Sequence, residues 1–228
     1  MAGWGEFVLA GMLFIASHLV PAHARLKAAL IARLGRRGWV WAFSLISTAL
    51  LVWLIAAAGR APWVVLWMQQ DWMRWLANLV MPVAIVLAAF GIAAPNPFAF
   101  EGRTEGFDPD HPGIAGVVRQ PLLWALLLWS SVHLLVNGDL AHALLFGAFL
   151  IFSVTGMRAM EARKRKAWGA AEFARLAART SAVPLQALLT GRWRPAHGPS
   201  MARLALGLLA WVALWHLHAP VIGVTPLP

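Results

Sequence analysis

The chain has 228 residues, of which 61% are hydrophobic and 12% are charged, and its mean hydropathy is +0.68. A soluble domain has roughly half apolar and about a quarter charged residues, so this composition argues against a soluble enzyme and predicts an all-α, polytopic membrane helix bundle. The chain has no cysteine, which excludes disulfides and cysteine-based metal sites, and membrane-surface loops explain its net charge of +10 better than nucleic acid does.

Six apolar segments predict about six transmembrane helices, accompanied by short interfacial helices. A helix needs ~20 residues to cross the hydrocarbon core, and the first and fourth segments lie at the short end of that range. We treat residues 1–228 as a single integral membrane domain. In chain order the segments are Gly5–Val20, Trp39–Ala58, Trp75–Ala94, Pro121–Val136, Leu140–Gly156 and Met201–Pro220.

Three short connections have distinct sequence patterns. Pro21 is expected to kink the first helix, which then continues over Ala22–Leu34 as a basic amphipathic extension. Ala61–Gln70 contains tryptophans typical of a membrane boundary and predicts a short interfacial helix outside. Asn137 and Gly138 favour a tight turn with positive φ, so the fourth and fifth helices should form an antiparallel hairpin.

Two longer connections are expected on the cytoplasmic side. Pro95–Arg119 is rich in proline, glycine and acidic residues and predicts an irregular loop. Residues 157–200 predict a basic cytoplasmic loop that contacts anionic lipid and contains an amphipathic helix over Trp168–Ala178.

The basic residues also predict an orientation. If the N-terminus is outside, 17 of the 19 Lys and Arg residues lie on the cytoplasmic side, as the positive-inside rule requires. With six spans, both termini are then periplasmic.

His18 and His133 are the most informative side chains, because each lies deep in an apolar segment. A polar group in hydrocarbon needs a partner, and neutral imidazole is a good ligand for iron. The pair therefore predicts bis-histidine ligation of a haem between the first and fourth helices. Their depths differ by ~8 Å in a core ~30 Å thick, which a tilted or late-starting first helix would close. The alternative is two structural histidines, hydrogen-bonded to nearby serines or carbonyls.

The other polar residues have weaker assignments. His142 is a third candidate ligand, expected at the outer interface, and Arg119 and Asn78 are further auxiliary candidates. His216 and His218 point in different directions on a helix, which disfavours a shared metal. Ser44, Ser47 and Thr48 could pack helices or hydrogen-bond a ligand, and helix packing is the default assignment. His23, His111 and His197 are expected in solvated loops.

Several motifs resemble the NnrU family of bacterial membrane proteins and, through it, zeta-carotene isomerase of plants and cyanobacteria. The resemblance covers most of the chain in the same order. It rests on Ser17–Pro21, Pro95–Pro97, Val118–Trp124, Trp129–Asp139 and Arg179–Pro184.

This resemblance implies a multi-helix fold in the bacterial inner membrane. For the isomerase branch it also implies haem b held by histidines that correspond to His18 and His133. The family usually has histidine where this chain has Gln120, and the isomerases have cysteine where it has Ser130. A switch to a thiolate ligand is therefore impossible here. The resemblance links NnrU proteins to denitrification, in nitrite and nitric oxide metabolism.

Three functions are compatible with these sequence features. The first is a haem-binding NnrU-type protein in nitrogen-oxide metabolism, with nitric oxide as a partner. The second is an enzyme, a haem-dependent cis–trans isomerase that acts on a lipophilic polyene. The third is a haem-free scaffold or small-solute transporter, although the spans lack the internal charges that transporters usually carry.

Overall fold

The computed structural model describes residues 3–21, 23–100 and 102–227. About 70% of the chain is helical, and the described part contains isolated β-bridges but no strand, which confirms the all-α prediction. The helices are α1 (Trp4–Leu19), α2 (Ala24–Arg60), α3 (Asp71–Gly91), α4 (Ile114–Val117), α5 (Pro121–Val136), α6 (Leu140–Trp168), α7 (Ala170–Ala177), α8 (Gln186–Leu189) and α9 (Met201–Ile222).

The six apolar segments of the sequence correspond to α1, α2, α3, α5, α6 and α9. Among the described residues, α2, α3, α6 and α9 are long and apolar enough to cross a membrane, whereas α1 and α5 are shorter apolar helices. The chain is therefore a multi-pass membrane protein. The full count of six spans stays a prediction, as does the orientation of the termini, whose end residues Met1 and Pro228 lie outside the described part.

The chain divides into an N-terminal unit (Met1–Met68 with Gly138–Leu145) and a C-terminal unit (Gln69–Asn137 with Phe146–Pro228). In the N-terminal unit α1 packs along α2. Small residues at the contact let the two helices approach closely, as in other membrane helix pairs. A Cβ on Gly11 would lie 3.8 Å from Leu54, and Ala10 and Ala57 are buried beside them.

The basic extension belongs to α2 and not to α1, so that prediction was wrong. Helix α1 ends at Leu19, and residues from Ala24 begin the next helix. Within α2, Gly35 has φ 70° and ψ 163°, and this break lies inside the basic stretch, which ends at Arg37. Glycine tolerates this conformation because it has no Cβ. Ala22, the first residue of the predicted extension, lies outside the described residues.

The predicted interfacial helix at Ala61–Gln70 is absent, and the segment is extended instead. The N–H groups of Leu66 and Trp67 donate to the Gly138 carbonyl at 2.7 and 3.1 Å, and Leu140 N–H donates to the Val64 carbonyl at 2.9 Å. These bonds occupy the backbone groups that a helix would need. The connection between α5 and α6 is short, as predicted, but Gly138 does not have the predicted positive φ. Glycine is required there because a Cβ would overlap the Trp67 carbonyl oxygen.

In the C-terminal unit α3 packs against both α5 and α9. Gly207 lets α9 approach α3 closely, because a Cβ there would lie 2.9 Å from the Cα of Val86. The Arg203 guanidinium donates to the carbonyls of Ala89, Phe90 and Ile92 at 2.8 to 3.1 Å. It therefore caps the C-terminus of α3, where free carbonyls and the helix dipole favour a cation.

The loop at Pro95–Arg119 is irregular, as predicted, apart from α4. It is nevertheless packed, because Phe98 and Ala115 form a buried apolar cluster with Phe173 and Ala177. The amphipathic helix predicted over Trp168–Ala178 is confirmed as α7, which Gly169 separates from α6 with a φ of 80°.

Candidate functional site

His18 is part-buried near the end of α1 and has partners on two helices. Its Nδ1 lies 2.8 Å from the Phe14 carbonyl oxygen, one helical turn earlier. A carbonyl oxygen only accepts hydrogen bonds, so Nδ1 carries the proton and Nε2 the lone pair. The Ser47 hydroxyl of α2 lies 3.0 Å from Nε2 and donates to it. Ser47, which the sequence assigned to packing, is thus a direct partner of this imidazole.

Aromatic side chains surround the His18 ring. The Phe14 ring centroid lies 4.3 Å from the imidazole centroid, and the Phe43 centroid lies 5.4 Å away, edge-on. The imidazole is therefore held in an apolar wall of the N-terminal unit, with its polar edge directed at Phe14 and Ser47.

His133 lies near the end of α5 in a comparable local setting. Its Nδ1 lies 2.8 Å from the Trp129 carbonyl oxygen, again one turn earlier, so Nε2 carries the lone pair. The Trp129 and Phe146 ring centroids each lie 5.1 Å from the imidazole centroid. Asn137 caps the helix end by donating to the His133 carbonyl at 2.8 Å.

Both predicted ligand histidines thus present Nε2 as the acceptor nitrogen. His18 belongs to the N-terminal unit and His133 to the C-terminal unit. Their joint ligation of one iron stays a prediction. The bond from Nδ1 to a carbonyl is not peculiar to them, since exposed His216 makes it with Val212 at 2.9 Å. Partial burial distinguishes His18 and His133 from His216, which is exposed although the Trp215 ring centroid lies 4.9 Å from its own.

His142 pairs with an acidic side chain. Asp139, which is almost fully buried, accepts from the His142 backbone N–H at 3.2 Å, and its other oxygen lies 2.7 Å from His142 Nδ1. Asp139 therefore caps the start of α6 and fixes the imidazole. The sequence analysis named both residues but did not predict the contact between them.

Arg119 is buried in the C-terminal unit, where Glu161 lies 2.7 Å from its guanidinium. The Phe98 and Phe173 ring centroids lie 5.6 and 5.7 Å from the guanidinium carbon, within cation–π range. Burial lowers the pKa of Arg119, while the charge of Glu161 opposes that shift. No sequence pattern pointed to Glu161, because it lies in the helical continuation of a distant span.

The segments around Asn96, Arg119 and Ser181 meet at this buried polar node. Asn96 donates to the Arg119 carbonyl at 2.9 Å, and Arg119 N–H donates to the Ser181 carbonyl at 2.8 Å. Gln120 donates to the Phe98 carbonyl at 2.7 Å. The glutamine amide thus has a structural role in this chain. All these segments lie within the motifs that carry the family resemblance.

The node is remote from His133. It surrounds the N-terminus of α5, and 1.5 Å of rise per residue places His133 about 18 Å farther along the helix. The auxiliary candidate Arg119 is therefore engaged in the fold at a distance from the predicted ligand.

Asn78, the other auxiliary candidate, fixes the end of the chain onto α3. Its amide donates to the Arg74 and Pro226 carbonyls at 2.9 and 2.8 Å and accepts from Trp215 Nε1 at 2.9 Å. Arg74 extends this contact by donating to the Leu227 carbonyl.

The remaining histidines do not gather into a metal site. Within the described residues there is no group of three or more His, Asp or Glu side chains that could hold a metal ion. His111 pairs with Asp108 at 2.8 Å in an exposed loop, and this bond is the main cause of the lowered pKa of Asp108.

Comparison with known proteins identifies the family. The family model described as NnrU protein matches residues 6–226, which is nearly the whole chain. No curated protein and no solved structure matches significantly. With its multi-pass helical fold and this match over nearly its full length, the chain belongs to the NnrU family.

Proposed function

We propose that this NnrU-family membrane protein binds a b-type haem, with His18 and His133 as axial ligands, and takes part in nitrogen-oxide metabolism. The observation that carries the haem proposal is shared by both histidines. Each part-buried imidazole uses Nδ1 for a carbonyl 2.8 Å away and so presents a lone pair on Nε2. Metal-ligating histidines almost always use their other ring nitrogen in this way.

The surrounding residues fit a large apolar cofactor. The rings of Phe14 and Phe43 flank one imidazole, and those of Trp129 and Phe146 flank the other. Such side chains limit access of water and do not compete with the imidazoles as ligands for iron. The Ser47 hydroxyl must turn away from His18 Nε2 before that nitrogen binds iron, and rotation about a serine side chain allows this.

A bound haem would supply one-electron chemistry and the capacity to take up a diatomic gas. The residues of the chain hold the two imidazoles in one tautomer, orient them and exclude water. The link to nitrogen oxides rests on the family resemblance and not on a contact within the chain.

A haem-free structural role is the second candidate, and the contact with Ser47 favours it. In that case His18 is a helix-packing residue whose two ring nitrogens are satisfied by Phe14 and Ser47. The same residues thus support two readings, which differ in whether Nε2 exchanges its hydroxyl partner for iron.

An optical spectrum of protein purified from haem-replete cells tests the proposal. We expect a six-coordinate haem spectrum, with loss of haem or conversion to a five-coordinate spectrum in both His18→Ala and His133→Ala. His216→Ala is the matched control, because His216 has the same carbonyl bond but is exposed, and its spectrum should be unchanged. A colourless protein that stays monodisperse and folded would establish the haem-free role.

Two further additions separate the functions of a haem-loaded protein. Nitric oxide added to the reduced protein should shift the Soret band if one axial imidazole leaves. Conversion of tri-cis zeta-carotene in cells that express the chain, with loss of conversion in His133→Ala, would instead establish the isomerase.

A further inference from the structure

The segment that connects α6 to α9 has an unusual apolar surface. Val183, Leu185, Leu188 and Leu189 are all exposed, and we call these four side chains the leucine surface. Leu189 is 80% exposed, more than Leu209 of α9, which is 68% exposed. The surrounding sequence is polar and basic, so this surface interrupts what the sequence alone describes as a cytoplasmic loop.

The leucine surface is held on a fixed base. Leu185 N–H donates to the Val117 carbonyl at 2.8 Å, and Ala187 N–H donates to Ser181 Oγ at 2.8 Å. Ser181 in turn donates to the Gly116 carbonyl at 2.6 Å. Ala187 is fully buried between the exposed leucines, so the segment cannot rotate to bury them without breaking these bonds.

The backbone at Leu185 is strained. Its φ is 64° and its ψ is 1°, a left-handed conformation that is uncommon for a residue with a Cβ. Strain of this kind persists where the surrounding structure fixes it, often at a functional position. Here it starts α8 and directs the leucine surface outward.

The position in the chain places this surface beside a bilayer. Helices α6 and α9 are both long and apolar enough to cross a membrane, and residues 169–200 join the end of α6 to the start of α9. The joining segment therefore lies at one face of that membrane. An exposed apolar patch on a water-soluble loop would be costly, whereas the membrane interface accepts leucine side chains.

The charges around the leucine surface match anionic lipid. Arg179 precedes it, Arg192 and Arg194 follow it, and all three are exposed. Arg192 bends back onto the same segment, because its Nε donates to Thr190 Oγ1 at 3.1 Å and its side chain also donates to the Ala178 carbonyl at 3.3 Å. Its charge is thereby kept beside Leu189.

We propose that the leucine surface inserts into the interfacial layer of the membrane that α6 and α9 span, with Arg192 and Arg194 against the phosphates of anionic phospholipids. The segment is then an interfacial anchor that attaches the buried polar node to the membrane. This anchor is independent of haem binding.

The absence of cysteine permits a direct test, because a single introduced cysteine is the only site for a thiol-specific spin label. Leu189→Cys probes the surface, and His197→Cys is the matched control in the same segment, exposed and polar in surroundings. Both variants are reconstituted in vesicles of phosphatidylcholine with phosphatidylglycerol. Collision with oxygen, which concentrates in lipid, is compared with collision with a water-soluble nickel chelate.

We expect the Leu189 label to collide with oxygen several-fold more than with the chelate, and the His197 label to show the reverse. A Leu189 label that the chelate reaches as readily as the control overturns the proposal in favour of a solvated surface. A Leu189 label that neither reagent reaches overturns it in favour of a protein partner or a second copy.

The role of the arginines has its own comparison. In the Leu189→Cys background, Arg192→Gln with Arg194→Gln should reduce the depth of the label in phosphatidylglycerol vesicles. With both arginines intact, the label should also lie deeper in vesicles that contain phosphatidylglycerol than in vesicles of pure phosphatidylcholine. Equal depth in all these samples overturns the contact between the arginines and anionic headgroups.

Discussion

The two units of the chain are stabilised in different ways. In the N-terminal unit α1 and α2 pack through small apolar residues, and the polar contacts of Glu6 with Trp53 and Arg60 lie at the helix ends. In the C-terminal unit a buried polar node joins segments around Asn96, Arg119 and Ser181 that are far apart in sequence. Neighbouring helices can pack with little polar support, whereas the irregular segments need partners for their buried backbone groups.

The two histidines share one local feature within these different settings. Each has its Nδ1 bonded to a carbonyl one helical turn earlier. Beyond that turn the Ser47 hydroxyl of α2 lies 3.0 Å from His18 Nε2, and the Phe146 ring centroid of α6 lies 5.1 Å from that of the His133 ring. A helix sets the tautomer, but the neighbouring helix sets what Nε2 can bind.

Loss of the Arg119 guanidinium should lower the free energy of unfolding more than any of the other substitutions below. Arg119→Met leaves Glu161 without its partner in a largely buried site, so we expect the free energy of unfolding to fall by about 3 kcal/mol. Equilibrium unfolding in mixed micelles, followed by tryptophan fluorescence, measures it. Arg179→Met is the control, because its contact with Asp110 is exposed and should matter by less than about 1 kcal/mol. Equal effects in the two variants would show that the node is not a special source of stability.

A smaller perturbation tests the packing beneath the leucine surface. Gly116→Ala places a methyl group 2.6 Å from the Trp193 ring, and such overpacking costs about 1–3 kcal/mol. Gly147→Ala is the matched control, because nothing lies within 4 Å of the added Cβ. The thermal midpoint should fall in Gly116→Ala and stay the same or rise in Gly147→Ala. A tolerated alanine at residue 116 would contradict the close approach of Trp193.

The N-terminal unit should respond less to loss of a polar contact. Trp53→Phe removes the indole N–H that donates to Glu6 at 3.0 Å, at a cost of about 1 kcal/mol in unfolding free energy. Trp41→Phe, at an exposed position of the same helix, should change it little. A loss in Trp53→Phe as large as that in Arg119→Met would remove the distinction between the two units.

The smallest effect is expected at the surface of α7. Arg175 holds the pKa of the Glu172 carboxyl below its ordinary value, mainly through a hydrogen bond. A lowered pKa contributes stability above the ordinary pKa of glutamate and loses it as the pH falls through the lowered value. Because the pair is exposed, Glu172→Gln should leave the unfolding midpoint at pH 7 within experimental error. A clear loss at pH 7 that disappears in acid would show that this ion pair stabilises the fold.

Particular residues show how far the sequence predicted the fold. The apolar segments located every long helix, because the requirement for about 20 apolar residues acts on the local sequence alone. The segment at Ala61–Gln70 was predicted as a helix but is extended, because its partners at Gly138 and Leu140 are remote in sequence. The break in α2 could have been anticipated at Gly35, since glycine next to a basic stretch permits φ 70°.

The candidate site also has residues that the sequence pointed to and contacts that it did not predict. The sequence analysis chose His18 and His133 from the eight histidines of the chain by their position in apolar segments, and their role as ligands stays a prediction. The contacts of Ser47 with His18, and of Glu161 with Arg119, had no sequence signal, because the members of each pair are far apart along the chain.

The sequence by itself determined that this is a helical membrane protein, that it has NnrU motifs and that two of its histidines belong to apolar segments. These features follow from hydropathy and residue order, which act over a single helix. Only the tertiary structure decided that the motif segments form a polar node, that Gln120 supports a carbonyl and that four hydrophobic side chains of a basic loop stay exposed. Each of these depends on backbone groups that find their partners across the fold, since a buried N–H or carbonyl must be paired wherever a partner is available.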